Sequence, residues 1–155
     1  MRSRLFAPVL LAGALLASVA GPLWSQAPLR GRVLAFADTG SVRIEVEVAD
    51  ARRMAGMPVR ASITGVGDDT PLWSGEIGRF EIRPDGTGHV VRRLTGLRPR
   101  LWSPQSPHLY RLVIETGGPG AGLKETVRFG FRRFEARDGR LLLNGRPIFL
   151  RGNAI

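Results

Sequence analysis

SVRIEVEVAD, residues Ser41–Asp50, alternates without a break. Val42, Ile44, Val46 and Val48 fall on one face, and Arg43, Glu45 and Glu47 on the other. A period of two sets an apolar face against a core and a polar face in water, which is the pattern of a half-buried β-strand. Pro58–Thr64 repeats it with Val59, Ala61 and Ile63. Gly65–Thr70 is a turn cluster. Leu72–Ile77 and Phe80–Ile82 read as short strands split by Gly75 and Gly78, and Pro84-Asp85-Gly86 as a turn. His89–Leu94 and Leu109–Thr116 are further strands. The loop Gly117–Gly122 follows, and Leu123–Ala136 is a long strand signal interrupted at Gly130. No segment past the first residues has a helical period, and no internal repeat is visible. About seven short strands separated by Gly, Pro and Asp turns predict an all-β, immunoglobulin-like antiparallel sandwich. It is expected over residues 28–135.

The last residues read differently. Asp138-Gly139 and Asn144-Gly145 are two-residue hairpin turns, because Asp, Asn and Gly tolerate positive φ. They bracket Arg140–Leu143. Pro147–Arg151 (PIFLR) is then a continuous apolar run with a charged end. A run apolar on both faces suits a strand covered on both sides, as in a parallel barrel. Residues 136–155 are therefore expected to form a hairpin and the first strand of a (β/α)8 barrel.

The first residues carry an export signature. Arg2 and Arg4 precede the apolar run Leu5–Ala20, and small residues follow at Ser18 and Ala20 and at Ser25 and Ala27. Cleavage after Ala20 is favoured over Ala27, which Pro28 follows. Pro8 and Pro22 bracket a run shorter than the ~20 residues that span a bilayer. Residues 1–27 thus read as a signal peptide and leader, and the mature chain as periplasmic or secreted, with no stable membrane span. Oligomeric state is left open.

The chain of 155 residues has no cysteine. That excludes a lipoprotein attachment site, a thiolate metal site and any disulfide, so an exported domain must hold itself by its core alone. The net charge of +10 raises the question of nucleic acid. All basic residues but Lys124 are arginine, a pattern that fits a GC-rich coding bias. They are scattered, as at Arg43, Arg60, Arg79, Arg100 and Arg111, and not gathered in a tract. A solvated basic surface is the expectation, with no nucleic-acid partner. His89 and His108 lack ligand spacing. Asp68-Asp69 lack the ligand count for calcium. Residues 117–122 (GGPGAG) lack the lysine and helix of a phosphate loop, and no Ser-His-Asp motif is present. No metal and no cofactor are expected.

Leu101–Tyr110 (LWSPQSPHLY) holds the most distinctive chemistry. Pro104 and Pro107 enforce an extended turn and withhold ladder donors. Trp102 and Leu109 can plug the end of the sandwich. Tyr110 opens a strand, where its hydroxyl can bond to backbone upstream in a tyrosine-corner arrangement. Trp102-x-Pro104-x-x-Pro107-x-Leu109-Tyr110 is followed by Gly130-Phe131-Arg132, by Leu143-Asn144-Gly145-x-Pro147 and by Leu150-Arg151-Gly152. In that order, over roughly residues 41–155, this resembles glycoside hydrolase family 2, the β-galactosidases, β-glucuronidases and β-mannosidases.

The resemblance implies that these motifs lie in the family's immunoglobulin-like domain and its junction with the catalytic barrel. It implies retaining hydrolysis of terminal β-O-glycosidic bonds. Trp102, Pro104, Pro107, Tyr110, Gly130, Arg132, Asn144 and Gly145 would be structural. Arg151, ending the first barrel strand, would bind substrate or pair with a barrel acid. No residue matches either catalytic glutamate, and Glu125 and Glu135 read as solvated strand residues. A barrel needs about 250 residues, so the expectation is a fragment whose carbohydrate substrate is met through the barrel. The family's usual jelly-roll domain is not seen ahead of the sandwich. The alternative is a non-catalytic exported binding or spacer module, in which Ile148, Phe149 and Leu150 would be exposed to no purpose.

Overall fold

In the computed structural model, which describes residues 31–117 and 122–150, two four-stranded antiparallel sheets face each other. One runs, in order across the sheet, β1 (Gly31–Ala37), β2 (Val42–Val48), β6 (Gly88–Leu94) and β5 (Glu81–Ile82). The other runs β4 (Pro71–Arg79), β3 (Pro58–Gly65), β7 (Tyr110–Thr116) and β8 (Leu123–Phe129). The chain changes sheets between β2 and β3, between β4 and β5, and again between β6 and β7. This is the Greek-key arrangement of an immunoglobulin-like sandwich.

The alternation of Ser41–Asp50 sets the core. Val42, Ile44, Val46 and Val48 are each 0% exposed and cluster with Val59, Ile63, Leu112 and Ile114 of the opposite sheet. Each such side chain contributes about 1.5–3 kcal/mol relative to exposure. Leu112 stands two residues after Tyr110, where disulfide-linked immunoglobulin domains carry a cysteine. In this chain apolar contact takes the place of that bond.

Three local features depart from the simple reading. Leu72–Ile77 and Phe80–Ile82 do fall on two strands, β4 (Pro71–Arg79) and β5 (Glu81–Ile82), in opposite sheets, but the division comes at Phe80, and β4 runs unbroken through Gly75 and Gly78. Val59 pairs with Gly78 and Arg60 with Glu76, so Ile77 is an extra residue at a β-bulge. Gly78 has φ +150° there, and Ile77 is turned into the core, 2% exposed. The glycine marks a bulge and not a break. Second, β1 is a strand that the alternation barely signals, since two of its inward residues, Ala35 and Ala37, give little apolar contrast. Third, Arg92 sits at an inward register position between Val90 and Leu94 and is nonetheless exposed. The strand β5 is too short to cover β6 at that level, and a charge at an uncovered edge discourages pairing with another chain.

Beyond Phe129 the long Leu123–Ala136 signal divides. A third, three-stranded sheet has the order β11 (Arg146–Pro147), β10 (Arg140–Leu143), β9 (Phe134–Arg137). Both predicted hairpin turns form. Asp138 and Gly139 have φ 49° and 68°, and Asn144 and Gly145 have φ 53° and 78°, the positive pairs that a type I′ turn requires. Leu143 is the one buried hydrophobic residue of this sheet. In the run Pro147–Arg151, ladder pairing ends at Pro147, and the Ile148 amide still donates to the Leu141 carbonyl at 2.9 Å. Phe149 and Leu150 are bare, 91% and 65% exposed.

The leader at residues 1–27, most of the Gly117–Gly122 loop, and Arg151 lie outside the described residues. Among the described residues no helix is long and apolar enough to cross a membrane.

Candidate functional site

The connection from β6 to β7 is built by its prolines. Ser103 and Ser106 exchange backbone hydrogen bonds of 3.0 and 3.1 Å around Pro104-Gln105. Proline's fixed φ suits the second position of such a turn. The His108 amide donates to the Ser106 carbonyl at 2.8 Å across Pro107, a γ-turn in which proline again fits the central place. This stiff loop delivers Tyr110 to the start of β7. The Tyr110 hydroxyl accepts the Arg100 amide at 2.8 Å, so the tyrosine corner expected from the sequence is formed. The Tyr110 ring meets Phe131 edge-on, with centroids 5.0 Å apart at 88°, and His108 at 5.1 Å. His108 is thus a packing residue, and its Nε2 is buried without a hydrogen-bond partner.

Gly130-Phe131-Arg132 closes on the same loop. Phe131 is 0% exposed. Its carbonyl accepts the Trp102 amide at 2.8 Å. A Cβ on Gly130 would lie 2.9 Å from the Trp102 Cβ, so only glycine lets the two segments approach this closely. The Arg132 guanidinium stacks over the Trp102 ring, 4.9 Å from its centroid. Such contacts stabilise by roughly 0.5–1 kcal/mol at exposed sites.

Asn144 joins the hairpin to this structure. Its Nδ2 donates to the Trp102 carbonyl at 2.9 Å, and its Oδ1 accepts the Arg133 amide at 2.9 Å. Its own amide donates to the Arg133 carbonyl at 2.8 Å. One residue therefore makes the turn, with φ 53°, and also clamps that turn to the tryptophan loop. Beside it, the Arg133 side chain reaches back 95 residues to Asp38, with Nε and Nη2 each 2.8 Å from a carboxylate oxygen. The Arg133 hydrogen bond, with the Thr39 amide second, holds the Asp38 carboxyl at about 2, below its ordinary 3.8. The same bond raises the pKa of Arg133.

The residues singled out from the sequence as structural thus meet at one joint. Trp102, Tyr110, Gly130, Arg132 and Asn144 touch one another directly or through a single neighbour, Pro104 and Pro107 shape the loop between them, and Gly145 completes the turn. Against the joint lies an open groove of about 550 Å³ between the loop, at Leu101, Ser103 and Pro104, and the hairpin, at Leu143, Arg146 and Ile148. Sequence reasoning did not find Asp38 or Arg133. The signal available was the Asp38-Thr39-Gly40 turn just before the strongest strand, which marks a hairpin. An ion pair closed across 95 residues leaves no local trace.

The joint holds the hairpin against the tryptophan loop through hydrogen bonds, an ion pair and stacked rings. Glu125 lies on β8 and Glu135 on β9, in different sheets, and Glu135 pairs with Arg137 at 2.8 Å. Among the described residues no three of His, Asp and Glu gather as a metal site.

Comparison with known proteins places this geometry. The model of glycosyl hydrolases family 2 matches residues 34–132, which hold the Trp102–Tyr110 and Gly130–Arg132 motifs. The hairpin motifs lie beyond the match. A β-galactosidase of Pectobacterium atrosepticum is 47% identical over 71 residues, 43% of this chain and 7% of that protein. A crystal structure of Parabacteroides merdae β-glucuronidase aligns with 79% of this chain and 15% of its own, with 23% identity and a TM-score of 0.53. Bacteroides uniformis β-glucuronidase 3 aligns with 80% of this chain and 15% of its own, with 26% identity and a TM-score of 0.52. The chain therefore spans only a small part of the relatives it matches.

Proposed function

Because the chain belongs to glycosyl hydrolase family 2, we propose that it serves as the immunoglobulin-like domain, and the approach to the catalytic barrel, of a retaining β-glycosidase. The observation that carries this is the Asn144 clamp. It fixes the hairpin leading out of the sandwich to the tryptophan loop, tying Asn144 to Trp102 and to Arg133. Past the clamp, Phe149 and Leu150 emerge bare, as a strand awaiting cover on both faces would.

On this reading residues 1–27 direct export to the periplasm or medium, the sandwich expected over residues 28–135 has its last strand in β8, and the hairpin sheet that begins at Phe134 leads into the first barrel strand. Arg151 ends that strand at the face where barrel sites form, within reach of a substrate hydroxyl or a catalytic carboxylate. The chemistry needs two carboxylates about 5–5.5 Å apart, one attacking the anomeric carbon and one donating a proton and then activating water. Both would come from later barrel strands. The substrate would be a terminal β-glycoside, with galactoside and glucuronide the first to try, given the relatives above.

Reading the gene past codon 155 tests this. An open frame with glutamates at later strand ends is expected, and a stop directly after Ile155 contradicts the proposal. The purified 155-residue chain should release no aryl group from any aryl β-glycoside, and release would equally contradict it.

A further inference from the structure

On the outer face of the first sheet, at the end nearest the joint, lies a cleft of about 400 Å³ that shares Arg132 and Arg133 with the joint. It is lined by Phe36, Arg43, Arg93, Arg132, Arg133 and Phe134, with Asp38 at its edge. Phe36 pairs with Arg43 across β1 and β2, and Arg43 pairs with Arg93 across β2 and β6, so the three form one row on the same face. Like charges directly opposite each other in an antiparallel pair destabilise it. Arg43 is offset by Glu45 at 2.7 Å and Arg133 by Asp38. Among the described residues Arg93 has no acidic partner, and Arg132 rests only on the Trp102 ring. Phe36 and Phe134 are 53% and 52% exposed, and the Arg43 guanidinium lies over the Phe36 ring, 5.9 Å from its centroid.

We propose that this cleft binds an acidic saccharide, a pyranose carrying carboxylate or sulfate groups. The inference rests on the carbohydrate reading above. Guanidinium groups match planar oxyanions with paired N–H bonds. The aromatic rings offer flat apolar surface to the C–H faces of a pyranose. The lining is more charged than apolar, with four guanidinium groups and one carboxylate beside two aromatic rings, a balance that favours an anionic ligand over a neutral one. A nucleic acid would need a basic track extending well beyond one cleft. An anion seated between Arg43 and Arg93 would also relieve the repulsion within the sheet.

The test is calorimetric titration of the full chain with a trigalacturonate, a sulfated trisaccharide and a neutral galactotriose. Binding of either acidic sugar with at least tenfold preference over the neutral one is expected, and the tighter of the two identifies the anion. Arg93→Ala should weaken binding at an unchanged melting temperature, and Arg93→Ala with Arg132→Ala should weaken it tenfold or more, with only the small drop in melting temperature that loss of the Trp102 contact entails. Arg93→Lys should lie between, because it keeps the charge and loses the fork. Failure of both acidic sugars to bind, undiminished binding by the double variant, or equal binding of hexaglutamate or of a single-stranded oligonucleotide would overturn the proposal. No hydrolysis is read, so the outcome is independent of whether the parent protein is a glycosidase.

Discussion

The sandwich and the hairpin sheet are held by different means. In the sandwich, β2 alone places four side chains at 0% exposure, and their partners come from strands far away in sequence. In the hairpin sheet only Leu143 is buried, and the geometry comes from two Asx-Gly turns and the Asn144 clamp. The sandwich is specified by long-range burial, the hairpin by local turn chemistry plus three hydrogen bonds. A substitution in the first should therefore loosen the whole fold, and one in the second should loosen only the tail.

The largest expected effect lies in the core. Ile44→Ala removes a fully buried side chain that no disulfide backs up, and should cost about 2–5 kcal/mol of unfolding free energy in urea titrations. A loss under 1 kcal/mol would mean the core is not where the stability lies. Gly130→Ala comes next. The added Cβ at 2.9 Å from Trp102 must push the loop away, for roughly 1–3 kcal/mol. The change should appear in the near-ultraviolet dichroism of the aromatic cluster as well as in the melt.

Asn144→Ala sharpens the contrast. It deletes two side-chain hydrogen bonds and places alanine at positive φ, on the order of 1–2 kcal/mol, but the loss should be confined to the hairpin. Tyr110→Phe leaves the Arg100 amide without its acceptor, for about 1 kcal/mol of global stability. The smallest effect is at Asp38. Its folded pKa lies below the unfolded one, so its contribution is complete above about 3.8 and is lost as pH falls through about 2. The pair is half in water, which screens it. Asp38→Asn should melt slightly below the native chain at neutral pH, with the gap closing as pH falls to 2. A gap that widens in acid would refute the assignment.

How much of this the residues announced follows the same division. The inner faces of β2 and β3, the tyrosine corner and both hairpin turns were legible because each rests on a short-range rule, alternation or positive φ. The bulge at Gly78 and the strand β1 were not. A glycine signals a bulge and a break alike, and alanine carries too little hydrophobic contrast to reveal a face. The joint was half legible. Its motif residues could be named in order, but that Asn144 reaches Trp102, and Arg133 reaches Asp38, are contacts between distant segments that only the folded chain reveals.

The most direct test is amide hydrogen exchange across the native chain and Asn144→Ala, read residue by residue. If the hairpin is a separate unit clamped at the joint, the amides of Arg133, Asn144 and Ile148 should exchange much faster in the variant, while those of β2, β3 and β7 keep their protection. Equal acceleration throughout would show that the hairpin and the sandwich open as one body, and no acceleration in the hairpin would show that Asn144 does not hold it; either result would contradict the account.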